Sequence, residues 1–267
     1  MVLPVFNITV VFKKQMYEIQ FCRPQNNTDG ATEEINPYKF CWNIYHRNTK
    51  PATPENPENQ YLCAMPVYKE WQQGNHARGA IWKIEEQEEF FSSQTGLQSD
   101  KKSELRRLEH LAGRFLLMQV APRLDLNNIS ISHLGKPFLP GKELHFSISH
   151  SFPFIGVAVD EKKEIGIDVQ TLQEKILRLQ HKFLSQEEQT ICNNQTDKIT
   201  LAWAAKEAVF KRYGLGAVDF IKHMPIREML IGENGAALTM EFMKEDHMTT
   251  VHLFGGIEQD FAWSVTK

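Results

Sequence analysis

An α+β fold of two similar halves, with a ligand cleft between them, is what the sequence predicts, and three observations carry it. From Met65 onward, short alternating apolar runs interleave with helical periodicities. Two long helical stretches match each other: Leu108-Glu109-His110-Leu111-Ala112 aligns with Leu201-Ala202-Trp203-Ala204-Ala205, and an acidic turn, EEQEEFF or SQEEQTI, precedes each. The tail alternates like a strand meander. A repeat near half the domain length points to paired halves, and the space between such halves is a common place for a ligand.

Taken in order, residues 80–84 read as a strand and EEQEEFF as a helical turn. Residues 101–120 form an amphipathic helix, with Leu105, Leu108, Leu111, Ala112, Phe115 and Leu116 at helical spacing. Residues 129–133, 145–150, 154–159 and 165–169 read as strands. QEKILRLQHKF and SQEEQTICN are helical, and a long helix over 197–213 is stopped by Gly214. Residues 226–265 supply the meander, turning at GENG.

The first 64 residues differ. They hold half of the twelve prolines and the linker-like NTKPATPENPENQ, and short strands at 8–12 and 40–45 do not organise a core. The functional domain is therefore expected to start at Met65, with halves over 65–160 and 161–267. Residues 1–64 are an extension, weakly ordered or outside the functional protein; a small N-terminal subdomain is the alternative.

With 267 residues, 42% of them hydrophobic, a sizeable core is available. A net charge of -3 advertises neither nucleic acid nor membrane, so any polyanionic ligand needs a local basic cluster. Cys22, Cys41, Cys63 and Cys192 are too scattered for a disulfide framework or a zinc site. The apolar opening is broken by Pro4 and Asn7 and its lysines follow it, unlike a signal peptide. A cytoplasmic, reduced protein is expected.

Three stretches could carry chemistry. Ser-Ile-Ser-His occurs twice, at 130–133 and 147–150, flanking Gly135-Lys136-Pro137. Neighbours in a strand face opposite ways, so Ser149 and His150 are no nucleophile–base pair, and no Gly-x-Ser-x-Gly elbow is present. In EIGIDVQ, Asp168 and Gln170 share one face, either solvated or part of a site. In WAAKEAVFKRYG, Trp203, Glu207 and Lys211 climb one helical flank with Lys206 beside it, either as an ordinary surface pair or as a site.

In this order, Gly135-Lys136-Pro137, Ser149-His150, Gly166-Ile167-Asp168 and Trp203-x-x-Lys206-Glu207-x-x-x-Lys211 resemble the motifs of phosphopantetheinyl transferases of the surfactin-synthetase-activating type. RRLEHLAGR fits the family's first-half helix. The resemblance implies two α+β halves with the active site between them, working as a monomer. It implies transfer of the phosphopantetheine arm of coenzyme A to a serine of an apo acyl- or peptidyl-carrier protein, releasing 3′,5′-ADP.

By the same analogy Asp168 and Glu207 hold Mg²⁺, Glu207 is the base, and Lys211 contacts the phosphates and the leaving group. Lys136, Ser149 and His150 help to hold coenzyme A, and Arg106 and Arg107, with Lys101 and Lys102 nearby, face the 3′-phosphate. One departure stands out: many relatives have glutamate where this chain has Gln170, so here an amide oxygen or a water would complete the metal site. His133 lacks a family counterpart and is expected in a core or surface role. A carrier- or coenzyme-A-binding protein that has lost catalysis is the alternative, and the joint presence of Asp168, Glu207 and Lys211 argues against it, since a binder needs no base.

Overall fold

The computed structural model describes residues 7–12, 15–20, 43–46, 67–141, 143–214, 216–244 and 247–267. Contacts divide the chain into one unit over Met1–Pro66 and another over Val67–Lys267. In the first, β1 (Asn7–Phe12), β2 (Gln15–Gln20) and β3 (Asn43–His46) form an antiparallel sheet in that order. The linker-like NTKPATPENPENQ, Met65, Cys22, Cys41 and Cys63 lie outside the described residues.

The second unit opens with β4 (Val67–Gln73) and β5 (Ala77–Lys83), then α1 (Glu88–Thr95) and α2 (Glu104–Val120). A two-stranded ribbon of β6 (Ser130–Ile131) and β7 (Pro137–Phe138) precedes the hairpin β8 (His145–Ser151) and β9 (Phe154–Asp160). Its sheet runs β4-β5-β9-β8. Strand β9 is buried along its whole length, whereas edge strand β4 alternates half-buried with exposed, as period-two side chains dictate. On one face of this sheet, Leu111, Ala112, Phe115 and Leu116 of α2 close over Trp82, Ile155, Val157 and Val159.

Then follow β10 (Ile167–Thr171), α3 (Lys175–Leu179), α4 (Gln186–Cys192), α5 (Thr196–Tyr213), α6 (Phe220–His223), β11 (Ile226–Gly232), β12 (Gly235–Lys244), β13 (His247–Ile257) and β14 (Phe261–Thr266). The second sheet runs β10-β14-β13-β12-β11. Ser185 and Glu188 close a capping box at the start of α4. Gly214, at φ 62°, ends α5 in the left-handed turn that glycine tolerates. Helix α5 buries Leu201, Ala202, Ala205, Ala208 and Val209 against Leu238, Met240, Val251 and Leu253.

A third core lies between the sheets, where Ile81, Phe154 and Ala158 meet Ile167, Val169, Phe261, Trp263 and Val265. The layers are thus helix, sheet, sheet, helix, an α+β architecture. Both sheets share a path: a strand, a helical excursion, then a returning hairpin whose last strand pairs with the first, as β9 does with β5 and β14 with β10.

The expected strand over 129–133 shrinks to β6. Ser132 Oγ accepts from Lys136 N at 3.0 Å and Gly135 takes φ 82°, so the first Ser-Ile-Ser-His passes from strand into a turn at its second half, which leaves His133 exposed. QEKILRLQHKF divides into α3 and a 3-10 turn over Gln180–Lys182.

Candidate active site

Asp168 sits on β10, and Glu207 and Lys211 lie one turn apart on α5, the helix that covers it. The approach is close because Gly166 has no side chain: a Cβ there would stand 1.9 Å from the carbonyl oxygen of Ala208 and 2.8 Å from Arg212 N. Asp168 is 1% exposed, and burying a carboxylate demands compensation. Three donors supply it. Lys211 Nζ lies 2.6 Å and Ser149 Oγ 2.7 Å from Oδ1, while Gln170 Nε2 lies 2.7 Å from Oδ2. Lys211 therefore crosses to the strand, and the surface-pair alternative for its helix does not describe it.

Glu207 is half-buried. Desolvation first, then the negative charge of Asp168, push its carboxyl up to about 7, with Lys211 opposing. A carboxyl whose pKa lies at about 7, with Asp168 and Lys211 beside it, can exchange protons with a substrate at ordinary pH.

Strand β8 brings two further residues. Ser149 is buried, and its oxygen also accepts from Val169 N at 3.1 Å. His150 faces the other way and is exposed. Its Nδ1 lies 3.2 Å from Arg106 Nη1 and 3.3 Å from Glu109 Oε2, and Arg106 Nη1 donates to that same oxygen at 2.8 Å. Desolvation lowers the imidazole pKa against the pull of Glu109. In the tautomer whose Nδ1 accepts from Arg106, Nε2–H is left as a donor.

Glu109, 4% exposed, was not singled out by sequence; the hint was an Arg and a Glu three apart on a helix.

Other expected residues lie apart from this cluster. Arg107 Nε is held by both oxygens of Glu88 at 3.0 Å, tying α2 to α1, and its Nη1 reaches only the backbone oxygens of Lys101 and Lys102. Lys136 Nζ donates to Glu164 Oε2 at 2.7 Å and to Arg212 O at 2.9 Å, beside a cavity of about 220 Å³ that Phe138, His145 and Glu164 also line. Lys206 turns inward to Glu188 at 2.6 Å. A larger cavity, about 560 Å³, is lined by Thr171, Ile176, Phe183, Trp203, Phe220 and Gln170, the last of which donates to Asp168.

The donor set suits a hard divalent cation: two carboxylates, one held above its ordinary pKa by desolvation first and then by the charge of the other, a repulsion that a cation would relieve. Gln170 turns its amide nitrogen to Asp168, so as placed it serves that carboxylate as a donor. Among the described residues no three His, Cys, Asp or Glu side chains gather as a ready-made metal cluster.

Comparison with known proteins follows this geometry. The chain is 32% identical over 136 residues to the 4′-phosphopantetheinyl transferase of Bacillus subtilis, covering 44% of this chain and 60% of that protein. It is 27% identical over 145 residues to a Haemophilus influenzae protein provisionally given the same name, covering 50% and 61%. The chain thus spans about 60% of the length of the curated relatives it matches. The family model of the 4′-phosphopantetheinyl transferase superfamily matches residues 164–266. That stretch, which carries Asp168, Gln170, Glu207 and Lys211, is thus similar to the 4′-phosphopantetheinyl transferase superfamily.

Proposed function

We propose that this chain moves the 4′-phosphopantetheine arm of coenzyme A onto a serine of an apo acyl- or peptidyl-carrier protein, with Mg²⁺ as cofactor. The serine oxygen bonds to the phosphorus bearing the arm, the bond from that phosphorus to the bridging oxygen breaks, and 3′,5′-ADP leaves. Such phosphoryl transfer needs positioning, charge neutralisation and a base rather than a covalent nucleophile.

The observation that carries the reading is the acid pair, with Glu207 raised to about 7 against buried Asp168 and Lys211 alongside. Glu207 takes the serine proton, directly or through water. Lys211 neutralises charge on the phosphates and the leaving group. Asp168 and Glu207 hold Mg²⁺, with Gln170 or a water beside them, and the ion when bound supplies charge neutralisation at the pyrophosphate. Arg106 and His150, already adjacent, donate to phosphate oxygens, while Lys136 and Arg107 exchange their present carboxylate partners for the nucleotide end of coenzyme A.

The shared path of the two sheets supports a pseudo-twofold pair of halves over 65–160 and 161–267, with residues 1–64 outside the functional domain. A cytoplasmic monomer is part of this proposal, as the family resemblance implies; among the described residues no helix is long and apolar enough to cross a membrane. The test is direct: incubate the protein with coenzyme A, magnesium and an apo-carrier, and weigh the carrier by mass spectrometry. One arm per carrier, abolished by chelator and by Glu207→Ala, is expected. Coenzyme A binding with an unmodified carrier would instead favour a binding protein.

A further inference from the structure

A buried carboxylate underlies Arg106 and His150. The side chain of Glu109 keeps 5% of its surface, against 59% for Arg106 and 42% for His150. Both basic groups meet one oxygen: Arg106 Nη1 donates to Oε2 at 2.8 Å, and His150 Nδ1 lies 3.3 Å from it. An exposed ion pair contributes little, whereas a buried carboxylate is costly unless donors hold it. Packing of α2 on β8 does not call for one. Gly113 already brings the helix onto the strand, since a Cβ there would stand 3.0 Å from Ile148 Cγ2.

Arg107, next in the chain, engages Nε with Glu88 and Nη1 with the carbonyls of Lys101 and Lys102. Arg106 engages Nη1 alone. Among the described residues its Nε and Nη2, and His150 Nε2, have no partner. Glu109 thus grips each side chain by one edge and leaves the other edge unengaged.

We propose that Glu109 is a positioning residue for a phosphate grip: it holds Arg106 and His150 so that both donate to one phosphate of coenzyme A, and it supplies the counter-charge that lets His150 do so as an imidazolium. This rests on the reading of Arg106 and His150 as phosphate donors.

Charges reach the ring from three elements. Desolvation lowers the imidazole pKa; Lys211 of α5 and Arg106 of α2 act the same way, while Glu109 of α2 and Asp168 of β10 oppose them. The free ring is therefore neutral near neutral pH. A phosphate dianion at Nε2 favours the cation, whose Nδ1–H then donates to Glu109. With glutamine at 109 and a neutral ring, Arg106 alone carries positive charge. With Glu109 and a charged ring the net charge of the three groups is the same, but two cationic donors face the phosphate instead of one.

The test titrates coenzyme A into the whole chain in chelator near neutral pH. Calorimetry gives affinity, and ring carbon chemical shifts, assigned with His150→Gln, give the charge of His150. Bound coenzyme A should turn the wild-type ring cationic. In Glu109→Gln the ring should stay neutral and affinity should fall about 10-fold, roughly the worth of one charge-assisted hydrogen bond. In a chain already carrying Arg106→Ala and His150→Gln, the same substitution should change nothing further. If Glu109→Gln does not fold, Glu109→Met, similar in volume but without a polar head, takes its place in every comparison.

A ring that charges equally in Glu109→Gln and wild type would overturn the proposal. So would wild-type affinity in Glu109→Gln, or a loss that persists beside Arg106→Ala and His150→Gln, which would make Glu109 a structural staple. A chain that binds no coenzyme A, or whose affinity ignores Arg106→Ala and His150→Gln, would overturn the donor reading and this proposal together. Donors that matter beside an indifferent Glu109 would overturn this proposal alone.

Discussion

Glu207 illustrates how a single side chain links burial to chemistry. Its folded pKa of about 7 lies above the ordinary 4.5, so its protonated form contributes stability that is fully present below about 4.5 and lost as pH rises through 7. In chelator, Glu207→Gln should therefore be more stable than wild type at pH 8, on the order of 1–3 kcal/mol, with the gap closing in acid; denaturant melts at several pH values measure this. The same variant should lose roughly 10²- to 10⁴-fold in transfer rate. With limiting magnesium the wild-type rate should rise with pH through about 7, and saturating magnesium should move that rise to lower pH, because a bound cation favours the ionised carboxylate.

Gln170 gives a second expectation at this scale. Gln170→Glu replaces the donor to Asp168 with a third negative charge. Its melting temperature should fall in chelator and recover with magnesium, while the magnesium concentration for half-maximal rate drops below wild type. An unchanged magnesium dependence would mean that position 170 is no cation ligand.

Between strand β10 and helix α5 the contact at Gly166 leaves no space for a methyl group. Gly166→Ala should cost about 3 kcal/mol in a denaturant melt and abolish transfer, since relieving the overlap moves Asp168 away from Glu207 and Lys211. Helix α5 was legible because apolar periodicity and a glycine stop coincide. The direction of its lysines was not. Lys206 and Lys211 both read as polar flanks, yet Lys206 is wholly buried because Glu188, brought by α4, and the carbonyl of Phe220 meet it there. Strand β4 escaped notice because its sequence, VYKEWQQ, half-buries alternate residues without an apolar run. Glu109 was hidden for a similar reason: a carboxylate on a helix reads as solvated until β8 and His150 cover it.

For the whole molecule, every residue placed in the site falls within Val67–Lys267, the larger of the two units. A chain beginning at Met65 should fold with a cooperative melt and retain transfer activity close to that of the full chain; a loss of either would give residues 1–64 a part in the working protein. The order of motifs, the two long helices and the tail meander could be read in advance because local pattern dictates them. The layering, with two sheets back to back around Phe154, Phe261 and Trp263, could not, since it depends on which apolar face meets which.

Where strand and helix touch at Gly166, a lone α-hydrogen faces the carbonyl of Ala208. The gauge between the two acids is therefore cut into main chain rather than entrusted to rotamers. Drift elsewhere in either sheet can reshape the rim while the placing of Asp168 against helix α5 stays the same.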